Sequence, residues 1–218
     1  REASREKIEQ LVSGNHLTGS FYHYEELLKT DVDVIYVALP NHLHYEYARK
    51  ALEYKKHVII EKPAVSGAKE LQELAELAGK QNRMLFEAMN IHYLPSFQAL
   101  KADLGRLGRI KMVSLNYSQY SSRYDAFRKG TVLPVFDPRM SGGALMDINV
   151  YNVHAVMGLF GVPEYARYYA NVERGIDTSG MMFYDYGTFK AVSIGAKDCK
   201  APIVSTIQGD QASIVIEK

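Results

Sequence analysis

One cysteine in 218 residues, Cys199, excludes an internal disulfide framework, and no CxxC pair or Cys/His spacing suggests a metal site. An excess of one charge is also missing: 26 basic residues stand against 25 acidic ones, spread along the chain, for a net charge of +1. That balance leaves no footprint for nucleic acid or an anionic membrane, so the expected partner is a small molecule. No apolar run approaches the roughly 20 residues of a membrane helix, and the first ten residues are polar rather than signal-like. A reducing cytoplasm fits these absences best. Internal repeats and low-complexity tracts are absent too. What is present is apolar content, 47% of residues, enough to bury the core of one large or two small domains.

The first half alternates helical and strand patterns. It predicts helices over 4–12 and 24–30, a continuous apolar strand at 33–39, a helix over 41–56, a strand at 57–60, a helix over 66–80 and a strand at 84–88. Successive βα units build a parallel sheet, with 33–39 expected beside 57–60. After Pro95 the pattern changes to one helix ending near Leu104 and strands rich in Tyr, Val and Ser over 109–121. A loop with Pro134 and Pro138 leads to a helix over 143–160, then to strands near 167–172, 180–186, 188–196, 203–208 and 213–217. The expected fold is α/β: a partial parallel sheet in residues 1–92, followed by an α+β domain with a mostly antiparallel open sheet in residues 93–218.

In an open α/β sheet, ligands bind beyond the carboxyl ends of the strands, where loops and helix N-termini present polar groups. Here the first strand ends in Pro40-Asn41-His42-Leu43-His44, the second in Glu61-Lys62-Pro63, and the third in Glu87-Ala88-Met89-Asn90 with His92 and Tyr93 just beyond. Each has a plain structural reading as well. Asn41 is a good helix N-cap, Pro63 can end a strand, and Glu61 and Lys62 can form a solvated pair. Convergence on one edge favours a site. A second constellation runs from Ser141 to His154. At about 100° per residue, Asp147, Tyr151 and His154 fall within roughly 60° of one helix face, while Asn149 and Asn152 point elsewhere. Leu145, Ile148, Val153, Val156 and Leu159 make the segment apolar on almost every side, as in a buried helix, and a buried carboxylate needs a partner. His154 alone reads as a satisfied core histidine. Asp147 with Tyr151 is the sharper pair, because a phenol near a cation can exchange a proton with a substrate hydroxyl, and Lys62 is available as that cation.

Pro40-Asn41 followed by His44, then Glu61-Lys62-Pro63, then Gly142-Gly143 with Asp147 and an ionisable residue four positions later, resembles the Gfo/Idh/MocA oxidoreductases over nearly the whole chain. The resemblance implies a Rossmann-type first unit, NAD or NADP as cofactor, and hydride transfer at the hydroxyl or carbonyl carbon of a sugar, cyclitol or diol. It implies Lys62, Asp147 and Tyr151 as catalytic residues, and Pro40, Asn41, His44, Glu61 and Lys62 beside the cofactor. His92 and His154 would join Asp147 and Tyr151 at the substrate. Tyrosine at position 151, where many members carry histidine, resembles the glucose-fructose oxidoreductase and dihydrodiol dehydrogenase branch, in which tyrosine is the acid/base. A cis peptide at Lys62-Pro63 would also match the family.

The family opens with a strand and a GxGxxG turn that cradles the pyrophosphate, and no such motif occurs here. The first βα unit is therefore expected to be missing, and with it tight dinucleotide binding by residues 1–218 alone. Arg1, with Arg5 as the alternative, would fall where the family contacts the adenosine ribose or its 2′-phosphate, with Ser4 as the N-cap of the following helix. The chain also stops earlier than family members usually do, so the expectation is a piece of a longer enzyme. Tyrosine-rich strands at 116–124 and 165–169 could furnish the exposed face of a homodimer or homotetramer. The alternative function is a non-catalytic sensor or binding protein on the same fold, since fold does not fix function.

Overall fold

Three short strands, Val34–Val37 (β1), His57–Ile60 (β2) and Leu85–Glu87 (β3), pair in that order and all in parallel in the computed structural model, which describes residues 5–217. Val34 lies opposite His57 and Val58 opposite Leu85, so the parallel pairing expected for the first two strands holds. β1 is shorter than the apolar run that announces it. Its exit is taken over by His44, whose Nε2 lies 2.7 Å from the Leu39 carbonyl, and by Pro40, which has no N–H to give a ladder. Helices α1 (Arg5–Gly14) and α2 (Tyr24–Leu28) precede the sheet, while α3 (His44–Glu53) and α4 (Ala68–Gln81) connect its strands. α3 buries His44, Ala48, Ala51 and Leu52, a helical i, i+4, i+7, i+8 stripe, and α4 adds Leu74 and Ala78. They meet Ile35, Val37, Val58 and Ile60 in the first core. The helix expected from Asn41 begins as a 3₁₀ turn, Asn41–Leu43, and Asn41 makes no side-chain cap bond there. α4 stops at Asn82, which adopts the left-handed conformation (φ 52°) that ends many helices.

The second unit begins with α5 (Pro95–Asp103), opened by a proline in the first turn, where the missing N–H costs nothing. Its six strands are Ile110–Ser118 (β4), Tyr165–Glu173 (β5), Ile176–Asp185 (β6), Lys190–Ala196 (β7), Val204–Gly209 (β8) and Ser213–Glu217 (β9), in the order β5-β6-β7-β4-β8-β9. All neighbours are antiparallel except β4 and β7, which run parallel, so the sheet is mixed. A short helix, α6 (Tyr124–Arg128), stacks Phe127 on Phe136 with Tyr124 tilted against the same ring, and α7 (Val150–Phe160) covers one face of the sheet. The second core there joins Val156 of α7 to Val113, Leu115, Tyr184, Ala191 and Ile207. The opposite face carries exposed Tyr165, Tyr169, Met112 and Met181.

The predicted helix over 143–160 is not one regular α-helix. Leu145–Asn149 forms a π turn, in which the N–H of Val150 reaches back to the Leu145 carbonyl, and only then does α7 begin. Two features hold this entry. Gly143 takes φ 105°, open to glycine alone at low cost, and the Asp177 carboxylate of β6 accepts the Leu145 N–H at 2.7 Å and the Tyr168 hydroxyl at 2.8 Å. Asn149 and Asn152, expected to point away from the Asp147 face, lie against the sheet; Asn152 donates to the Ile194 carbonyl at 3.0 Å. The π turn sits so close to β7 that a Cβ added at Gly195 would overlap the Asn149 side chain. Gly195→Ala is therefore expected to destabilise the fold by about 1–3 kcal/mol. A denaturant midpoint equal to that of the wild type would refute this seating of the helix.

Candidate active site

The site forms where the exits of β2 and β3 meet the π turn and α7. Lys62 follows β2 in a cis Lys62-Pro63 bond, and its Nζ donates to Asp147 twice, to the backbone carbonyl at 2.9 Å and to Oδ1 at 3.1 Å. The other carboxylate oxygen, Oδ2, accepts from Nζ of Lys197 at 2.5 Å. Lys197 stands just past β7, is 3% exposed, and also reaches the Val135 carbonyl at 3.3 Å with the Phe136 ring centroid 4.6 Å away. Asp147 thus bridges two ammonium groups that come from different units. Burial pushes its carboxyl upward, but Lys197 and then Lys62 more than offset this and hold it below the usual carboxylate range. Lys197 goes the other way: burial lowers it below the usual lysine value, Asp147 opposes the shift, and Lys62 and Arg123 add to it.

Tyr151 lies on the next turn, with Nζ of Lys62 5.2 Å from its ring centroid and the Tyr117 ring 6.0 Å away. It borders two cavities. One, of about 430 Å³, lies along the strand exits with Tyr36, Glu61, Asn90 and Tyr93. The other, of about 370 Å³, is lined by Lys62, Asp147 and Lys197 together with the hydroxyl and amide side chains of Gln119, Tyr120 and Ser121. A larger, mostly apolar cavity of about 800 Å³ also touches Tyr151, but Lys62, Asp147 and Lys197 are not among its walls; they line the 370 Å³ cavity.

The other expected site residues divide by location. Glu61 accepts from the Tyr36 hydroxyl at the edge of the first cavity. Pro40 is exposed at the head of the 3₁₀ turn, and Asn41 donates to the Ser141 carbonyl at 2.9 Å, tying the two units together instead of capping a helix. His44, expected beside the cofactor, is fully buried, with Nδ1 2.9 Å from the Pro63 carbonyl and Nε2 on Leu39. Both ring nitrogens face backbone carbonyls inside the core, so the ring ties the two strand-exit loops together. His92 and His154, expected at the substrate, border neither of the two smaller cavities. His154 Nε2 lies 3.1 Å from Glu87 and its Nδ1 3.2 Å from His92 Nε2, a chain that joins β3 to α7. Burial lowers His92, and His154 adds to this; Glu87 is held below the usual carboxylate range because His154 outweighs burial. Arg1 lies outside the described residues; Arg5 pairs with Glu9 at 3.4 Å and sits over the Tyr22 ring. Among the described residues no cluster of three or more His, Cys, Asp or Glu is set to hold a metal.

Lys197 was not legible from spacing. It stands 50 residues from Asp147 and at the end of an alternating strand, where a lysine ordinarily reaches solvent. The only local signal is its place next to Asp198, directly past a strand that packs under α7.

A parallel-sheet unit with polar strand exits is bridged by a lysine to an aspartate at the head of a helix of a mixed-sheet unit, a two-part α/β architecture. Residues 2–89 match the model of the oxidoreductase family with an NAD-binding Rossmann fold, GFO_IDH_MocA. The chain is 38% identical over 217 residues to a scyllo-inositol 2-dehydrogenase (NADP(+)) of Bacillus subtilis, covering 98% of this chain and 66% of that protein. It is 32% identical over 173 residues to a D-xylose 1-dehydrogenase (NADP(+)) of Haloferax volcanii, covering 75% of this chain and 50% of that protein. The solved WlbA dehydrogenase of Bordetella pertussis, in complex with NADH and UDP-GlcNAcA, superposes with a TM-score of 0.85 at 19% identity over 98% of this chain and 64% of its own. The chain belongs to the Gfo/Idh/MocA oxidoreductase family, whose cofactor is NAD or NADP, and it spans about two thirds or less of the length of these relatives.

The carboxyls of Asp147 and Glu87 give a pH prediction. Both are held below their usual range, so in acid the unfolded chain binds more protons than the folded one, and stability rises with pH through that window. Their contribution is complete above the ordinary carboxylate value of about 4 and is lost as pH falls through the lower folded values. The denaturant midpoint should therefore drop steeply below about pH 4, and less steeply in the Asp147→Asn, Glu87→Gln double variant. Parallel curves for the two proteins would rule out these groups as the source.

Proposed function

We propose that the protein is an NAD(P)-dependent oxidoreductase that moves a hydride between nicotinamide and the hydroxyl or carbonyl carbon of a cyclitol, sugar or diol. The observation that carries this reading is the position of Tyr151, shared between the cavity at the strand exits and the polar cavity of Lys62 and Asp147. The first cavity suits the nicotinamide ribose: its volume is in the range of ligand pockets, Tyr36 and Tyr93 offer flat faces, and Glu61 and Asn90 offer polar atoms. The chain's own sequence supplies no glycine-rich turn for the pyrophosphate. When bound, the nicotinamide supplies or accepts the hydride. The second cavity suits a polyol, since it presents hydroxyl and amide groups beside the two lysines and the carboxylate. The named substrates of the two curated relatives, scyllo-inositol and D-xylose, are neutral polyhydroxy compounds of this class.

In the oxidation direction the substrate carbon gives up its hydride and the hydroxyl its proton. Tyr151 takes the proton, Lys62 stabilises negative charge on the phenol and the substrate oxygen, and Asp147 accepts a hydrogen bond from a neighbouring substrate hydroxyl. The polarity reverses for reduction. The face bearing Tyr165, Tyr169, Met112 and Met181 is the surface on which a homodimer or homotetramer would form, the small-molecule site remaining on the other side of the sheet.

The gene expressed with its native flanking sequence should oxidise at least one member of a panel of inositols, sugars and diols with NAD or NADP. In that protein Tyr151→Phe should reduce kcat about 10²–10⁴-fold while leaving cofactor binding, followed by nicotinamide fluorescence, nearly intact. Lys62→Met should also lower the rate and, where activity remains, move the basic limb of the pH–rate profile upward. Wild-type turnover by Tyr151→Phe would remove the tyrosine as proton carrier.

A further inference from the structure

The second lysine at Asp147 has no place in the reaction as described, yet it is the more deeply buried of the two, 3% exposed against 18% for the Lys62 side chain. Burying an ammonium is costly unless its charge and its donors are matched. Lys197 is matched fully: Asp147 Oδ2 and the Val135 carbonyl take two of its N–H groups, and the third direction is filled by the face of Phe136. Phe136 is itself locked by stacking on Phe127, with ring centroids 4.8 Å apart. The backbone of Lys197 is fixed on both sides, its N–H bonded to the Thr178 carbonyl at 2.9 Å and its own carbonyl to the Ser121 N–H at 2.8 Å. An ammonium with every donor spent inside the protein is poorly placed to bind substrate and well placed to hold another side chain.

We propose that Lys197 is a positioning residue of the polyol site: by engaging Oδ2 it holds Asp147 in one orientation and takes half of its charge, leaving the ammonium of Lys62 incompletely neutralised beside Tyr151. The charge count supports this. Two ammonium groups share one carboxylate, so the cluster carries a net charge of +1 in a partly buried cavity. With Lys197 removed, Asp147 would turn wholly to Lys62, and the positive potential next to the phenol and the substrate oxygen would fall. Asp147 is the carboxylate that meets Lys197, with Lys62 and Arg123 as the neighbouring cations; burial lowers Lys197 below the usual lysine value, and Asp147 opposes that shift. This inference rests on the hydride-transfer reading for its kinetic consequence but not for its geometry.

The test compares Lys197→Met, which removes the cation, with Lys197→Arg, which keeps it, in the full-length enzyme. Two readouts are needed: steady-state kinetics across pH, and the titration of the Asp147 carboxyl by ¹³C NMR, assigned with Asp147→Asn. Lys197→Met should lower kcat about 10–100-fold with a small change in KM, raise the Asp147 titration toward the ordinary carboxylate value, and shift the basic limb of the pH–rate profile upward. Lys197→Arg should recover much of all three. Should Lys197→Met fail to fold, Lys197→Gln, which keeps a donor without the charge, is read in its place. An unchanged Asp147 titration in the charge-removed variant overturns the proposal, and so does unchanged turnover in an enzyme that Tyr151→Phe inactivates. A full-length wild type without hydride transfer would instead sink the enzymatic reading, and the Asp147 titration would still decide whether Lys197 holds that carboxylate.

Discussion

The carboxylate of Asp147 is the point on which the two units of this protein meet. Each of its oxygens accepts from a different ammonium, one rising from the exit of β2 and one from the end of β7. A partly buried ion pair of this kind contributes little net stability, because desolvation cancels much of the attraction, but breaking it on one side leaves a charge uncompensated. Its value is therefore geometric. It fixes the distance between a parallel sheet, with helices α3 and α4 on it, and a mixed sheet with α7 on it. It also sets Tyr151 at the seam between two cavities.

Around that contact the interface is built from short polar links. Asn41 reaches Ser141, the hydroxyls of Ser66 and Ser141 meet, and Glu87 meets His154. Each link starts at a strand exit or helix entry of the first unit and ends at the loop before the π turn or on α7. The apolar clusters of the two units stay separate. The interface is thus specified by directional bonds more than by apolar area, which suits a boundary that must leave polar cavities between its halves.

Much of this could be read from the residues. Apolar runs with β-branched side chains gave the three parallel strands, and the i, i+4 pattern of α3 and α4 gave their buried stripes, because both depend on local periodicity. The pairing of Lys62 with Asp147 followed from motif order. What escaped were features decided by tertiary contact. The buried seat of His44 depends on two carbonyls, one five residues and one 19 residues away, and a histidine at a helix start looks the same in either setting. His92 and His154 were grouped with the substrate because they share a stretch of chain or a helix face with site residues; that His154 meets Glu87 and His92 meets His154 is set by the fold and not by spacing. Lys197 was invisible because nothing near it in sequence announces Asp147. The parallel pairing of β4 with β7 inside a mostly antiparallel sheet is likewise a matter of topology and not of pattern.

The π turn explains why one helical segment can serve two masters. A regular α-helix would place Asp147, Tyr151 and His154 in a single stripe aimed at a single target. The wider turn at Leu145–Asn149 changes the rotational phase between what comes before it and what comes after. Asp147, inside that turn, meets the two lysines, while His154, two turns on, meets Glu87 at the neighbouring strand exit. The segment behaves as a joint with two independently indexed arms, one carrying a carboxylate to a pair of lysines and the other carrying an imidazole to the exit of β3.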